Sequence, residues 1–82
     1  MRLPRDIGGQ DLARRLAVYD YTIIRQTGGH LKLMSNRTGQ EHQITLTTGR
    51  MLRMATFNSV LVEVARYLTM EKNALAASLF AP

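Results

Sequence analysis

The chain predicts an α+β fold: a helix, three short antiparallel strands, a second helix and a small helical tail, with the helices packed on one face of the sheet. Three observations predict it. Apolar residues recur at three- and four-residue spacing near the start and again from Phe57 to Leu68, which is helical periodicity. Between those segments, apolar and polar residues alternate in short runs separated by turn-forming breaks, the pattern of half-buried strands. Finally, 82 residues, 45% of them hydrophobic, suffice for one core and leave no room for a second. The helices and the sheet must therefore bury their apolar sides against each other in one small domain.

The first helix has a sharp start. Gly8 is suited to the N-cap with Asp11 three positions on, and Ile7 and Leu12 stand where a hydrophobic staple would set them. Leu12, Leu16 and Tyr19 follow at helical spacing, Arg14 and Arg15 lie outward, and Asp20 closes the helix. The β-rich run YTIIRQ comes next and ends at Thr27-Gly28-Gly29. In HLKLM, Leu31 and Leu33 share one face while His30, Lys32 and Met34 share the other. After a turn at SNRTGQ, the run EHQITLTT puts His42, Ile44 and Leu46 on one face and Gln43, Thr45 and Thr47 on the other. These three runs make an antiparallel meander. The last long helix carries Phe57, Val60, Leu61, Val64, Ala65 and Leu68 as an apolar stripe, with Thr56 as its expected N-cap. Thr69 is expected to cap a final short helix that turns Leu75 and Leu79 inward.

Eleven Lys and Arg against six Asp and Glu give a net charge of +5 and a pI near 10.5. Most of those cations are arginines, the side chain that meets phosphate or carboxylate in bidentate geometry. The balance points to an anionic partner, nucleic acid first and an acidic protein second. With no cysteine, disulfides, thiolate metal sites and cysteine nucleophiles are excluded. Two isolated histidines do not make a metal cluster, so no cofactor is expected. No apolar run reaches membrane-spanning length, and MRLPRDIGG lacks the apolar core of a signal peptide. The expected location is the cytoplasm.

Strand parity separates the two histidines. His42 shares the parity of Ile44 and Leu46, which reads as a half-buried strand-end residue. His30 shares the parity of Lys32, about 7 Å along the strand, and should emerge on the open face. Imidazole there could take the proton of a ribose 2′-OH, and Lys32 or Arg25 could stabilise charge growing on the phosphate. Gly28 and Gly29 would permit positive φ in the turn and let a phosphate approach the backbone. Met51 and Met54 read as core or interface filler.

These residues carry a resemblance. LPRDIGGQDL followed by YTIIRQTGGHLKL resembles the HicA mRNA interferase toxins, and the similarity runs on through ITLTTGRMLRMATFNSVL. It spans Leu3 to about Leu68. Its most specific pieces are Pro4-Arg5-Asp6, Arg25-Gln26, Gly28-Gly29-His30 and Leu52 with Thr56. The resemblance implies a fold like the double-stranded-RNA-binding domain and an endoribonuclease cleaving mRNA through one histidine, neutralised by a HicB-type antitoxin. The family's catalytic histidine corresponds to His30 and its turn to Gly28 and Gly29. The chain departs from the family pattern at Asp20 and Ala55, where glycine is usual. It also departs at Thr47 and Gly49, where the family often has proline and then histidine. A non-catalytic RNA-binding module is the alternative, and a domain that only meets acidic protein is a further one.

Overall fold

In the computed structural model, which describes residues 6–48 and 51–80, the elements follow the expected order. Helix α1 (Gly9–Leu16) runs into a 3-10 turn (Ala17–Tyr19) and is followed by strands β1 (Thr22–Gln26), β2 (His30–Ser35) and β3 (His42–Thr47). Helices α2 (Met54–Leu68) and α3 (Lys72–Phe80) complete the chain. The sheet is antiparallel in the order β1-β2-β3, and the fold class is α+β. Pro4 and Arg5, on which part of the resemblance rests, and Gly49, one of the departures from it, lie outside the described residues.

Helix α1 begins as its sequence demands. Gly8 is extended, its carbonyl accepts the first helical bond from Leu12 N–H at 3.0 Å, and Ile7 and Leu12 are both buried. Gly9 serves a different need. A Cβ there would stand 1.9 Å from the Thr47 carbonyl oxygen, so only glycine lets α1 approach the end of β3 this closely. At the other end, Asp20 takes the left-handed conformation with φ 67°. A glycine would adopt it at no cost, and aspartate is among the few other residues that visit it. Arg37 holds the Asp20 carboxylate at 3.2 Å. The departure at this position thus leaves the backbone path intact.

Leu31, Leu33, Ile44 and Leu46 pack under the helices with Leu12, Leu16, Phe57, Leu61 and Val64, all buried. Each such side chain contributes roughly 1.5–3 kcal/mol by leaving water. Helix α3 adds Leu75, Ala76 and Leu79 and meets α2 through an edge-on Phe57–Phe80 contact, 5.5 Å between centroids. Arg15 fastens α1 to this layer by donating to the Leu79 carbonyl at 2.9 Å and lying over the Phe80 ring. It is a tie between helices, beyond the solvated role that its outward spacing suggests.

Three local expectations are corrected. Helix α2 begins before Thr56: Arg53 is the extended N-cap, and Phe57 N–H donates to its carbonyl at 2.9 Å. Leu52 is buried and its N–H is tied to the Ile7 carbonyl at 2.8 Å, so the chain turns into helix directly after it. Thr69 does not open α3. It closes α2 in the left-handed conformation, φ 56°, an unfavourable place for a β-branched residue. Its own N–H reaches the Arg66 carbonyl and the next, of Met70, reaches that of Ala65, satisfying the helix end. Met51 and Met54 are exposed, which removes the core half of their expected role as core or interface filler.

Candidate nucleic-acid interface

On β2, Leu31 and Leu33 are fully buried while His30 and Lys32 are exposed, as strand parity requires. Across the ladder, Lys32 stands opposite Thr45 and His30 opposite Thr47, all on the uncovered face. Arg25 joins them through an irregularity. Ile23 pairs with Leu33 but Arg25 pairs with Lys32, so Ile24 is an extra residue in β1. Unbroken alternation would set Arg25 on the side of Ile23; the bulge moves it to the side of Lys32, a known use of such insertions.

Arg25 and Lys32 are thus directly opposed, about 5 Å apart at Cβ. Like charges in that position repel. Neither forms an ion pair among the described residues; the carboxylates that do pair are Asp11, Asp20 and Glu63, on other surfaces. Glu41 precedes the start of β3, at the far end from Thr47, and Gln43 donates to it at 2.8 Å. The end of the face that carries His30 is therefore cationic, and an anion placed there would relieve the repulsion.

The turn before His30 is held by its own polar groups. Thr27 N–H donates to the His30 carbonyl at 2.9 Å, and His30 N–H donates back to the Thr27 hydroxyl at 3.1 Å. Thr48, just after β3, braces it, its N–H on the Gly29 carbonyl and its hydroxyl on that of Gly28. Neither Gly28 nor Gly29 has a left-handed φ, so the expected conformational reason for glycine is overturned. The Thr27 and Thr48 bonds close the turn without it. A Cβ on either glycine would meet nothing within 4 Å. What the missing side chains leave is bare backbone beside His30.

His42 lies on the covered face, half-buried as its parity predicts. Its Nδ1 is 2.6 Å from the Tyr21 hydroxyl, its ring stacks on Tyr67 at 4.6 Å between centroids, and its Nε2 is 3.9 Å from Glu63. Burial, with the nearby Tyr67 and Glu63 charges, pushes the Tyr21 hydroxyl well above the usual phenol range. Tyr21 therefore stays protonated, and its hydroxyl and Nδ1 share one hydrogen bond. Tyr67 also pins the β2–β3 turn, donating to the carbonyl of Gln40 and accepting from Thr38 N–H. Of this cluster the chain's periodicity shows only the parity of His42; Tyr21 precedes β1, and Glu63 and Tyr67 both lie on α2.

Among the described residues, no group of three or more His, Cys, Asp or Glu side chains could hold a metal ion. None of the described helices is long and apolar enough to cross a membrane. Comparison of the chain with protein-family models, with curated proteins and with solved structures returned no match.

Proposed function

We propose that this chain is a toxin endoribonuclease of the HicA type, cutting single-stranded mRNA through His30 and restrained by a HicB-type antitoxin. One observation carries the reading: an exposed imidazole beside bare glycine backbone, on the same uncovered face as the directly opposed cations Arg25 and Lys32. Neutral His30 takes the proton of the 2′-OH, and the 2′-oxygen attacks the adjacent phosphorus. Arg25 and Lys32 stabilise the added negative charge on the phosphorane oxygens. The bond from phosphorus to the 5′-oxygen then breaks, and that oxygen takes its proton from water. The products are a 2′,3′-cyclic phosphate and a 5′-hydroxyl. The same cations suit an antitoxin surface bearing Asp or Glu, which would cover His30 while it neutralised them.

The test is cleavage of a purified single-stranded RNA by the chain and by His30→Ala. Loss of the general base should lower the rate about a hundredfold or more. Undiminished cleavage by the variant would overturn the assignment. Binding of RNA by the variant should weaken with salt at a log–log slope of about −0.7 per phosphate contacted. The second reading, an RNA-binding module without cleavage, draws on His42 being committed to Tyr21 and Tyr67, which leaves His30 without a second imidazole as acid. It expects binding by both forms and cleavage by neither.

A further inference from the structure

The uncovered face presents more than His30 and two cations. Thr47 is the direct cross-strand partner of His30, and Thr45 that of Lys32, both exposed on the outer edge strand. Directly opposed residues hold their Cβ atoms about 5 Å apart, so a group seated on the imidazole lies within reach of the Thr47 hydroxyl. Neither threonine hydroxyl has a hydrogen-bond partner among the described residues, whereas those of Thr27 and Thr48 are committed to the turn. A free hydroxyl both donates to a phosphate oxygen and exchanges hydrogen bonds with a ribose 2′-OH.

Apart from His30 and Arg25, which are assigned to the phosphate, the groups that hold unpaired bases are placed elsewhere. The chain has three tyrosines, two phenylalanines and no tryptophan. All five aromatic side chains, Tyr19, Tyr21, Phe57, Tyr67 and Phe80, belong to the helix-covered core or pack against it. Single-stranded RNA is ordinarily read by stacking splayed bases on such rings. The amide of Gln43, which could meet a base edge, is turned to Glu41.

We infer that Thr45 and Thr47 are substrate-contact residues, and that with Arg25 and Lys32 they grip RNA by its sugar–phosphate backbone without reading its bases. The inference rests on the proposed ribonuclease reading and deepens it. Thr47 is assigned the phosphate at His30, donating to a non-bridging oxygen, and Thr45 the neighbouring ribose or phosphate beside Lys32. The consequence is cleavage governed by accessibility of the strand, with little sequence preference.

The test uses the full chain and a short single-stranded RNA whose central nucleotides keep ribose and phosphate but lack their bases. Binding is measured by fluorescence anisotropy on the His30→Ala form, and cleavage on the unsubstituted chain. Removing the bases should change both by no more than about threefold. Thr47→Val keeps the branched shape and deletes the hydroxyl. It should lower cleavage about tenfold with the unfolding temperature unchanged, and Thr47→Ser should restore it. Thr45→Val should weaken binding several-fold. A loss above tenfold on removing the bases, or full binding and cleavage by both valine variants, would overturn the inference. The outcome is separable from the reading beneath it. If His30→Ala cleaves normally but binding ignores bases and falls in the valine variants, the backbone grip stands and the catalytic assignment fails. If binding follows the bases, the grip fails whatever the cleavage rate.

Discussion

His30 opens β2 on the uncovered face of the sheet, whereas His42 opens β3 on the face that the helices cover. One residue type in equivalent strand positions has two opposite environments. The ring of His42 meets Tyr21, Tyr67 and Glu63, and its Nδ1 is engaged in a hydrogen bond with the Tyr21 hydroxyl. The ring of His30 makes no hydrogen bond among the described residues, although its backbone is tied on both sides to Thr27. A general base needs a fixed position and an uncommitted lone pair. The backbone of His30 is fixed and neither of its ring nitrogens has a partner among the described residues, whereas Nδ1 of His42 is engaged. The difference separates fixing a histidine in place from using up its chemistry.

Exchanging each histidine for alanine is the strongest way to break this comparison. His30→Ala should abolish most cleavage yet shift stability by no more than about 0.5 kcal/mol, as ordinary surface substitutions do. His42→Ala should do the reverse. It strands the buried Tyr21 hydroxyl, at a cost of about 1–3 kcal/mol, while the molecules that remain folded keep their cleavage rate. Thermal unfolding and cleavage of both variants check it, and a His42→Ala form that is fully stable but inactive would invert the roles.

Gly9 tests whether the covered side positions the open one. In Gly9→Ala the methyl would overlap the Thr47 carbonyl, and Thr47 is the strand partner of His30. Strain of this kind costs about 2 kcal/mol or more, read as a lower denaturant midpoint. A variant as stable as the parent would mean that α1 sits farther from β3 than described.

Thr69 offers a gain in place of a loss, on the covered side alone. Glycine accepts the left-handed conformation that costs other residues about 1–2 kcal/mol, and after the greater entropy that glycine loses on folding is offset, Thr69→Gly should stabilise the fold by up to about 1 kcal/mol. RNA cleavage should not change, since this helix end belongs to the covered layer. A destabilised variant in thermal unfolding would contradict the cap geometry.

The smallest effect on stability sharpens the open side. Gly28→Ala and Gly29→Ala meet open space and need no left-handed φ, so folding should be neutral or improved by about 0.4–1 kcal/mol through the unfolded chain. Their effect should fall on RNA, as weaker binding and slower cleavage, because the added methyl occupies the approach to the backbone beside His30. Unchanged cleavage would mean that the phosphate does not pass over this turn.

Much of this arrangement was legible along the chain. The parity of His30 with Lys32, and of His42 with Leu46, follows from the two-residue repeat of a strand, which covalent geometry imposes wherever a strand forms. The apolar spacing of Leu12 with Leu16, and of Phe57 with Val60, Leu61 and Val64, likewise specified two helices and the faces they bury. The helix ends were less legible. Thr56 and Thr69 are chemically good N-caps, but the anchoring of Leu52 to Ile7 starts α2 earlier, and the close of α2 takes Thr69 for itself.

By itself, then, the sequence determined the element order, the sheet's two faces and the outward placement of His30, because periodicity and turn chemistry act over a few residues. Tertiary structure decided the rest. The bulge at Ile24 that turns Arg25 toward Lys32 depends on how β1 registers against β2. The close approach that requires glycine at Gly9 depends on where α1 meets β3. The engagement of His42 Nδ1 depends on Tyr21, and its ring's cover on Tyr67, two residues far apart in the chain. Each is a choice among non-local pairings of similar local cost, and only the packing of the whole molecule separates their energies.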